Sequence, residues 1–488
     1  MRTWLEERGP LLASVLAITA ALTLVACLAG DGGTDGSRTD RSLQTETCRH
    51  PDFEPDPRCG TLTVPEDSAV AAGRTIDLNF VVLPARDRKQ RHDAVLYLVG
   101  GPGLAATESL PFFRQNLREL QQTRDIVLVD QRGTGASNPL DCDLTPQELL
   151  GAILAGRFEP STIASCLDTL DADPTLYTST QIVDDFEALR AALGYQRFDV
   201  VGVSYGSRLA LDFLRRHPER ARTIALRGVA SPAGNLFTDI GSASEEALDR
   251  FFDRCDNDPD CGSRHSELEQ TFRRVLSALE KDPPALEIDP PAGRSLRLEL
   301  SRDLFAGAVR FALYSRTSAE IIPDLITDAD EERWDALTAF LGNFLGPGLA
   351  SSLSFGSYLS IVCAEDLPFF TPESEDLPPR LFFTPSVVEN LYAACRAWPS
   401  RPVPREFKLP LRSSVPALLM SGSEDPATSA SSAEAIARHL DDHRHLVTPG
   451  LAHMPTWTPC FARNLARFVE SGSTSAVDES CADNEPTS

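Results

Sequence analysis

The chain has 488 residues, more than one ordinary core holds, since single domains usually contain about 100 to 250 residues. Its 46 lysine and arginine residues stand against 71 aspartate and glutamate residues, which gives a formal net charge of −25. This acidic balance argues against nucleic acid or an anionic membrane surface as a partner. We therefore expect one large domain that carries an insertion.

Residues 1–27 have the pattern of an export signal. A basic start precedes an apolar run from Leu11 to Leu24, and Leu24-Val25-Ala26-Cys27 resembles a bacterial lipobox, in which Cys27 would be acylated. An uncleaved anchor is an alternative, because the apolar run can be extended to Ala29, and plain secretion is another. We expect an exported protein, either a cell-envelope lipoprotein or a secreted or periplasmic form. Membrane contact is expected only through this N-terminal lipid or anchor.

The cysteines indicate an oxidising compartment independently of the signal. Eleven are present, and those other than Cys27 fall into pairs that are close in the sequence. The pairs are Cys48 with Cys59, Cys142 with Cys166, Cys255 with Cys261, Cys363 with Cys395, and Cys460 with Cys481. Five disulfide bonds are therefore possible, although spacing does not fix the connectivity and buried free thiols are the alternative. No pair has the C-x-x-C spacing of a zinc site, and we expect no metal or other cofactor.

The first part of the core, at residues 47–228, shows alternating strand and helix patterns. A preceding segment, residues 28–46, is rich in small polar residues and is expected to form a flexible tether. Strand patterns lie at Thr75–Leu83, Ala94–Val99, Asp125–Asp130, Phe198–Val203 and Thr223–Arg227, with a helical pattern at Gln181–Leu193. Such alternation predicts the α/β class, with a doubly wound and mostly parallel sheet.

The alternation stops at residues 229–409, where helical patterns and proline-rich loops predict an inserted helical cap. The helical patterns are Ser244–Arg254, Ser266–Lys281, Asp303–Leu313 and Glu332–Leu345. Strand and helix patterns return at Ala417–Met420, Ser431–Leu440, His445–Val447 and Phe461–Val469. The second part of the core is therefore expected at residues 410–481, followed by a disordered tail at residues 482–488.

Gly202-Val203-Ser204-Tyr205-Gly206 fits the G-x-S-x-G pattern of a nucleophile elbow. The apolar run Phe198–Val203 precedes the serine, and Ser207–Arg216 follows with helical spacing. A serine between a strand end and a helix start has a strained backbone, so small residues are needed two positions before and after it. The helix would direct its positive dipole end at the place where an oxyanion forms. The motif predicts that Ser204 is a nucleophile.

A serine hydroxyl needs a base to accept its proton and an acid to orient that base. The turn after the strand Ala417–Met420 presents Asp425, with Glu424 as the alternative acid. Of the eight histidines, His453 is the one that follows the last predicted strand and precedes the final helix. The order serine, acid, histidine is the order found in α/β-hydrolases. The sequence therefore predicts Ser204, Asp425 and His453 as catalytic residues.

Two main-chain N–H groups are expected to stabilise the oxyanion. One belongs to Tyr205, which follows the serine. The other is assigned to Gly101 in Val99-Gly100-Gly101-Pro102-Gly103, directly after a predicted strand. A loop almost without side chains lets its main chain approach a substrate closely.

Taken together, these motifs resemble the peptidase branch of the α/β-hydrolases that contains prolyl aminopeptidases and secreted tripeptidyl aminopeptidases. The matching segments are Gly100-Gly101-Pro102-Gly103, Asp130-Gln131-Arg132-Gly133-Thr134-Gly135-Ala136-Ser137, the elbow, Gly422 with Asp425-Pro426, and His453 with Cys460. The positions of Cys142, Cys363, Cys395, Cys460 and Cys481 also look like the cysteine pattern of the secreted branch. The resemblance extends over nearly the whole chain after the export signal.

The resemblance implies a monomeric serine aminopeptidase that cleaves short peptides from a free N-terminus, with the cap limiting access. An exopeptidase must bind the ammonium group of its substrate. The segment Ile361–Asp366 looks like the cap segment that ends in an acidic residue in this family, so Glu365 and Asp366 are expected to bind substrate. The chain departs from the family at Leu98-Val99, where Asn-Pro or His is frequent, and at Ala452, where glycine is usual. Because of these departures, the resemblance does not imply that the enzyme prefers proline in its substrates.

Two alternatives remain at this stage. A carboxylesterase could use the same three residues on an ester, because one fold carries many activities. A surface peptide-binding lipoprotein with an inactive hydrolase fold is the other alternative, and the intact serine, acid and base argue against it.

Overall fold

The computed structural model describes residues 42–50, 52–70, 72–87, 92–111, 117–291, 293–346, 352–369, 382, 384–454 and 457–484. The predicted export signal with Cys27, most of the predicted tether and the last four residues lie outside this set. Within it, no helix combines the length and the apolar character needed to cross a membrane.

A nine-stranded sheet lies at the centre of the described core. From edge to edge its strands are β1 (Leu43–Thr47), β2 (Arg58–Pro65), β3 (Thr75–Leu83), β5 (Ile126–Val129), β4 (Asp93–Leu98), β6 (Arg197–Val203), β7 (Ala221–Arg227), β10 (Ala417–Gly422) and β11 (His443–Thr448). Six neighbouring strands are parallel to one another, namely β5, β4, β6, β7, β10 and β11. At one edge of the sheet, β1, β2 and β3 pair with their neighbours in antiparallel fashion. The sheet matches the predicted fold class. The predicted tether at residues 28–46 is corrected at its end, where Leu43–Glu46 form most of the exposed strand β1.

The described α-helices lie between these strands and in the cap. They are α1 (Pro146–Ala155), α2 (Pro160–Thr169), α3 (Ser179–Leu193), α4 (Tyr205–Arg216), α5 (Leu236–Asn257), α6 (Pro259–Arg264), α7 (Leu268–Lys281), α8 (Arg302–Ala312), α9 (Arg316–Ala319), α10 (Ile322–Asp330), α11 (Asp335–Phe344), α12 (Phe355–Glu365), α13 (Thr384–Ala397), α14 (Ala430–Ala437) and α15 (Pro459–Ser471). Short 3-10 helices occur at Thr107–Ser109, Leu120–Gln122, Pro174–Leu176, Pro218–Arg220, Leu367–Phe369, Arg405–Lys408, Thr474–Ala476 and Glu479–Asn484.

Two apolar layers cover the two faces of the sheet. Phe213 of α4 packs on one face and Phe461 of α15 on the other. In β6, Val200 faces the first layer and Val201 the second, because successive side chains of a strand point to opposite faces. A strand buried on both faces has a continuous apolar sequence, which is why β6 could be recognised from its residues.

The cap has an apolar core of its own, and it differs from the predicted helical insertion in two respects. α1 and α2 belong to this core, although they precede the elbow in the sequence and were expected in the first part of the sheet domain. Gly307 of α8 lies so close to α1 that a Cβ there would overlap the carbonyl oxygen of Leu154. The cap also contains a small antiparallel sheet of β8 (Ala285–Ile288) and β9 (Leu296–Glu299).

The ten cysteines of the described chain are joined in the five pairs suggested by sequence proximity. Their Cα separations lie between 4.9 and 5.6 Å, the usual range for disulfides. Cys363–Cys395 joins α12 to α13 within the cap, and Cys460–Cys481 joins α15 to the C-terminal segment. The bonds therefore reinforce both the cap and the end of the core.

Candidate active site

Ser204 occupies the sharp turn between β6 and α4. Its φ of 55° and ψ of −126° lie in a region that residues other than glycine rarely adopt. A Cβ at Gly202 would overlap the carbonyl oxygen of Gly206, and a Cβ at Gly206 would overlap that of Leu98. The two glycines of the motif are therefore required by the packing of the turn.

Asp425 and His453 follow the parallel strands β10 and β11 and meet at the same edge of the sheet. His453 Nδ1 lies 2.9 Å from Asp425 Oδ2 and 3.0 Å from Oδ1. Asp425 also accepts hydrogen bonds from the N–H groups of Ala427, at 2.9 Å, and Thr428, at 2.8 Å. The Thr428 hydroxyl donates to Oδ2 at 2.9 Å. This carboxylate fixes the imidazole ring and leaves Nε2 as the nitrogen available for proton transfer.

The electrostatic surroundings keep Asp425 ionised. Burial alone would raise the pKa of Asp425, but the contacts with His453 and the charge of Arg227 outweigh it and hold that pKa well below its usual range. The alternative acid, Glu424, instead forms an ion pair with Arg254 of the cap. The structure thus brings Asp425, rather than Glu424, to the histidine.

Ser204 and His453 line the same cavity, which has a volume of about 560 Å³. Among the described residues, no hydrogen bond joins the Ser204 hydroxyl to the imidazole. Such bonds are frequently long in unliganded enzymes and shorten when substrate binds. The shared cavity gives a small molecule access to both the hydroxyl and the imidazole.

The predicted oxyanion groups lie beside the serine. A Cβ at Gly100 would be 2.9 Å from Ser204 Cβ and 3.2 Å from its Oγ, so the glycine loop is packed directly against the elbow. Gly101 has a φ of 109°, and no acceptor for its N–H group is found in the described part of the chain. Tyr205 begins α4, where N–H groups have no acceptor within the helix. Both donors are available to an oxyanion.

The cavity wall is mainly apolar and is formed by core and cap together. Its aromatic residues are Tyr97, Phe237, Phe311, Tyr314, Phe344, Phe355 and Tyr358. Arg310 supplies a positive charge, and it donates to the Tyr314 hydroxyl at 2.9 Å while its guanidinium lies 4.2 Å from the Phe311 ring centre. No carboxylate side chain occurs among the described residues of the lining. These residues offer contacts for an apolar chain.

The cap also contacts the candidate base directly. The ring of Tyr314 packs edge-to-face on that of His453, with 5.2 Å between the ring centres. Its carbonyl oxygen accepts a hydrogen bond of 2.7 Å from the N–H of Met454. The position of this part of the cap is therefore tied to the histidine loop.

The expectation that Glu365 and Asp366 bind the substrate's ammonium group is wrong for this structure. Both residues are 0% exposed and lie behind the elbow rather than in the cavity lining. Asp366 accepts two hydrogen bonds from Arg208, at 2.8 and 3.1 Å, and Glu365 lies 3.6 Å from the same guanidinium. The physical reason is that the buried charge of Arg208 in α4 requires carboxylate partners.

Glu365 also joins a hydrogen-bond network that reaches the elbow. It accepts from the Ser179 N–H at 2.7 Å and from the Ser179 hydroxyl at 2.9 Å. That hydroxyl is 2.7 Å from the hydroxyl of Tyr205, the residue after the nucleophile. Burial, opposed by Arg208 and by these hydrogen bonds, raises the pKa of Glu365 to about 7.

Three residues of the site were missed by sequence reasoning. Arg227 contacts Asp425, Thr428 bonds the same carboxylate, and Tyr314 packs on His453. A signal existed only for Arg227, which is an arginine directly after the apolar run Ile224–Leu226 of β7. In the described part of the chain, no group of three or more His, Cys, Asp or Glu side chains is arranged to hold a metal ion.

Comparison with known proteins identifies a fold family and several relatives. The alpha/beta hydrolase fold family matches residues 93–459. Serine protease Hip1 of Mycobacterium tuberculosis is 23% identical over 418 residues, which cover 78% of this chain and 79% of that protein. Tripeptidyl aminopeptidase of Streptomyces lividans is 27% identical over 194 residues, or 36% of each chain. The crystal structure of proline iminopeptidase from Mycobacterium smegmatis has a TM-score of 0.41 at 17% identity, covering 85% of this chain and 99% of that one.

Replacing Glu365 by glutamine is expected to change how stability depends on pH. Between its ordinary pKa and about 7, the Glu365 carboxyl is protonated in the folded protein and ionised in the unfolded chain. The free energy of unfolding of the wild-type protein therefore falls by up to about 3 kcal/mol as the pH rises through this window. Glu365→Gln has no carboxyl group at this position and should not show that decrease. Denaturant unfolding at about pH 4.5 and about pH 8 measures the difference.

The stability of Glu365→Gln relative to wild type should grow between the two pH values. Glu280→Gln, on the exposed side of α7, is the matched control and should follow the wild-type curve. An identical pH dependence for Glu365→Gln and wild type would contradict the raised pKa.

Proposed function

Because the chain belongs to the alpha/beta hydrolase fold family, we propose that it is an exported serine peptidase that cleaves short peptides from a free N-terminus. The observation that carries the proposal is that Gly101, Ser204 and His453 line one cavity, with His453 bonded to Asp425 and Tyr205 following the serine directly. The relatives that are named as a serine protease and a tripeptidyl aminopeptidase support peptides as substrates.

The reaction would proceed through an acyl-enzyme. His453 accepts the Ser204 proton as Oγ attacks the scissile carbonyl carbon, and the N–H groups of Gly101 and Tyr205 stabilise the resulting oxyanion. The imidazolium then gives its proton to the leaving amine. Water, activated by the same histidine, hydrolyses the ester to Ser204. Asp425 holds the ring in one tautomer and stabilises its charged form.

The size of the cavity supports short substrates. A volume of about 560 Å³ falls within the range of sites that enclose small organic ligands. A few residues of an extended peptide fit such a space under the cap, whereas a folded protein does not. Apolar side chains of the substrate would contact the aromatic wall.

The disulfides support a location outside the cytoplasm. Disulfide bonds persist in oxidising compartments and are rare where thiols are kept reduced. Five are formed within the described residues. Acylation of Cys27, which would hold the protein at the cell envelope, is the finer part of this proposal and rests on the sequence pattern alone.

A carboxylesterase is the second candidate, and one observation favours it. An aminopeptidase needs a group that attracts the substrate's ammonium, and carboxylates usually serve. The described lining contains Arg310 and no carboxylate, while Glu365 and Asp366 are engaged behind the elbow. An apolar acyl chain on an ester would suit such a wall.

Three substrates distinguish the candidates. We expect wild type to hydrolyse a free-amine peptide anilide and to reject its acetyl-capped form, since an aminopeptidase recognises the amine. Hydrolysis of a nitrophenyl ester without either anilide would identify an esterase instead. Ser204→Ala should lose all of these activities, while Ser263→Ala, at an exposed serine of α6, should keep them. Activity of Ser204→Ala near the wild-type level would contradict both candidates.

Two variants separate the candidate acids. Asp425→Asn is expected to lower kcat by about 10,000-fold, because the amide stabilises the wrong imidazole tautomer. Glu424→Gln is the matched control and should retain kcat within about 2-fold, since its side chain pairs with Arg254 and lies outside the cavity lining. Initial rates on the accepted substrate provide the measurement. A larger loss in Glu424→Gln than in Asp425→Asn would reverse the assignment.

A further inference from the structure

We propose that Arg227 is a positioning residue for the catalytic groups, because it joins the strand beside the nucleophile to both the acid and the histidine loop. The inference rests on the proposed function, since it assigns a role within the same site. Arg227 is 1% exposed and is not part of the cavity lining, so it would act through Asp425 and His453 rather than on the substrate.

The main chain of Arg227 is bound to the elbow. Arg227 is the last residue of β7, where it pairs with Val203 of β6 on one side and Met420 of β10 on the other. Its carbonyl oxygen accepts a hydrogen bond of 2.9 Å from the N–H of Ser204. The residue therefore lies between the strand that ends at the nucleophile and the strand that leads to the acid.

The side chain of Arg227 reaches the other two members of the triad. Nη1 lies 3.4 Å from Asp425 Oδ2. Nη2 donates to the carbonyl oxygens of Ala452, at 3.0 Å, and His453, at 3.1 Å. The guanidinium also lies over the Phe461 ring, 5.5 Å from its centre. The planar guanidinium contacts the carboxylate through one nitrogen and the two carbonyl groups through another, whereas a lysine has all of its donors on a single nitrogen.

The residue after Arg227 is packed against the same groups. Gly228 has a φ of 64°, and a Cβ there would lie 2.7 Å from Thr428 Oγ1 and 3.4 Å from His453 Cε1. The end of β7 thus contacts the acid turn and the base with both its side chain and its main chain. Small shifts of this segment would move His453 relative to Ser204.

The buried positive charge also acts on the acid. Against the effect of burial, and together with the contacts to His453, it holds the pKa of the Asp425 carboxyl well below its usual range. Arg227 therefore contributes to keeping Asp425 ionised as well as to its position.

Arg227→Met tests this role. We expect the kcat of the folded enzyme to fall by about 100-fold with little change in KM, because the reacting groups are displaced while the cavity wall remains. A residue with a merely structural role would lower the amount of folded enzyme without changing the kcat of the folded fraction.

Arg227→Lys separates geometry from charge and covers the case in which Arg227→Met does not fold. Its ammonium keeps the charge but has its donors on one nitrogen, so it does not reproduce the separate contacts of Nη1 and Nη2. We therefore expect kcat to remain reduced while KM stays near the wild-type value. The matched control is Arg132→Lys, at another buried arginine, which pairs with Asp185 at 2.7 Å outside the cavity lining. This control should keep the wild-type kcat and KM.

The outcomes separate this inference from the proposed function. An inactive wild-type enzyme, or an active Ser204→Ala, would remove the proposed function and with it the role of Arg227. If wild type is active and Ser204→Ala is not, a wild-type kcat in Arg227→Lys would overturn the positioning role. A wild-type kcat in folded Arg227→Met would overturn it as well.

Discussion

The positive φ of Ser204 can be maintained because the groups packed around the turn present main chain rather than side chains. Gly202 and Gly206 let the turn close, and Gly100 brings the loop after β4 against the serine itself. The Ser204 N–H is bound by the carbonyl oxygen of Arg227, at the end of the next strand. The strained turn thereby fixes the neighbours that supply the oxyanion donor and the contact to the acid.

Two buried arginines link this turn to the rest of the molecule. Arg227 extends from the sheet toward Asp425 and the His453 loop. Arg208, one turn into α4, binds Asp366 and lies near Glu365 at the end of a cap helix. A buried guanidinium is costly unless its partners are well placed, so each arginine restricts how the elements around it can move. The cap and the acid are thus both tied to the elements that surround the elbow.

The fold and the location of Ser204, Asp425 and His453 at one edge of the sheet could be predicted from sequence because their signals are local. β6 is apolar from Val200 to Val203 and β10 from Ala417 to Met420, and each strand is followed by a turn that carries a catalytic candidate. The role of Glu365 and Asp366 could not be predicted, because Arg208 is 158 positions from Asp366 and no pattern relates them. Sequence order does not reveal which apolar core a helix joins. It therefore predicts α1 and α2 in the sheet domain, although both helices belong to the core of the cap.

Activation of Ser204 by His453 and Asp425 can be measured by treating the protein with a fluorophosphonate and locating the adduct by mass spectrometry of its peptides. We expect covalent modification of Ser204, with the rate of labelling falling sharply in Asp425→Asn. Absence of labelling in the folded wild-type protein, or an adduct on a different serine, would contradict this activation.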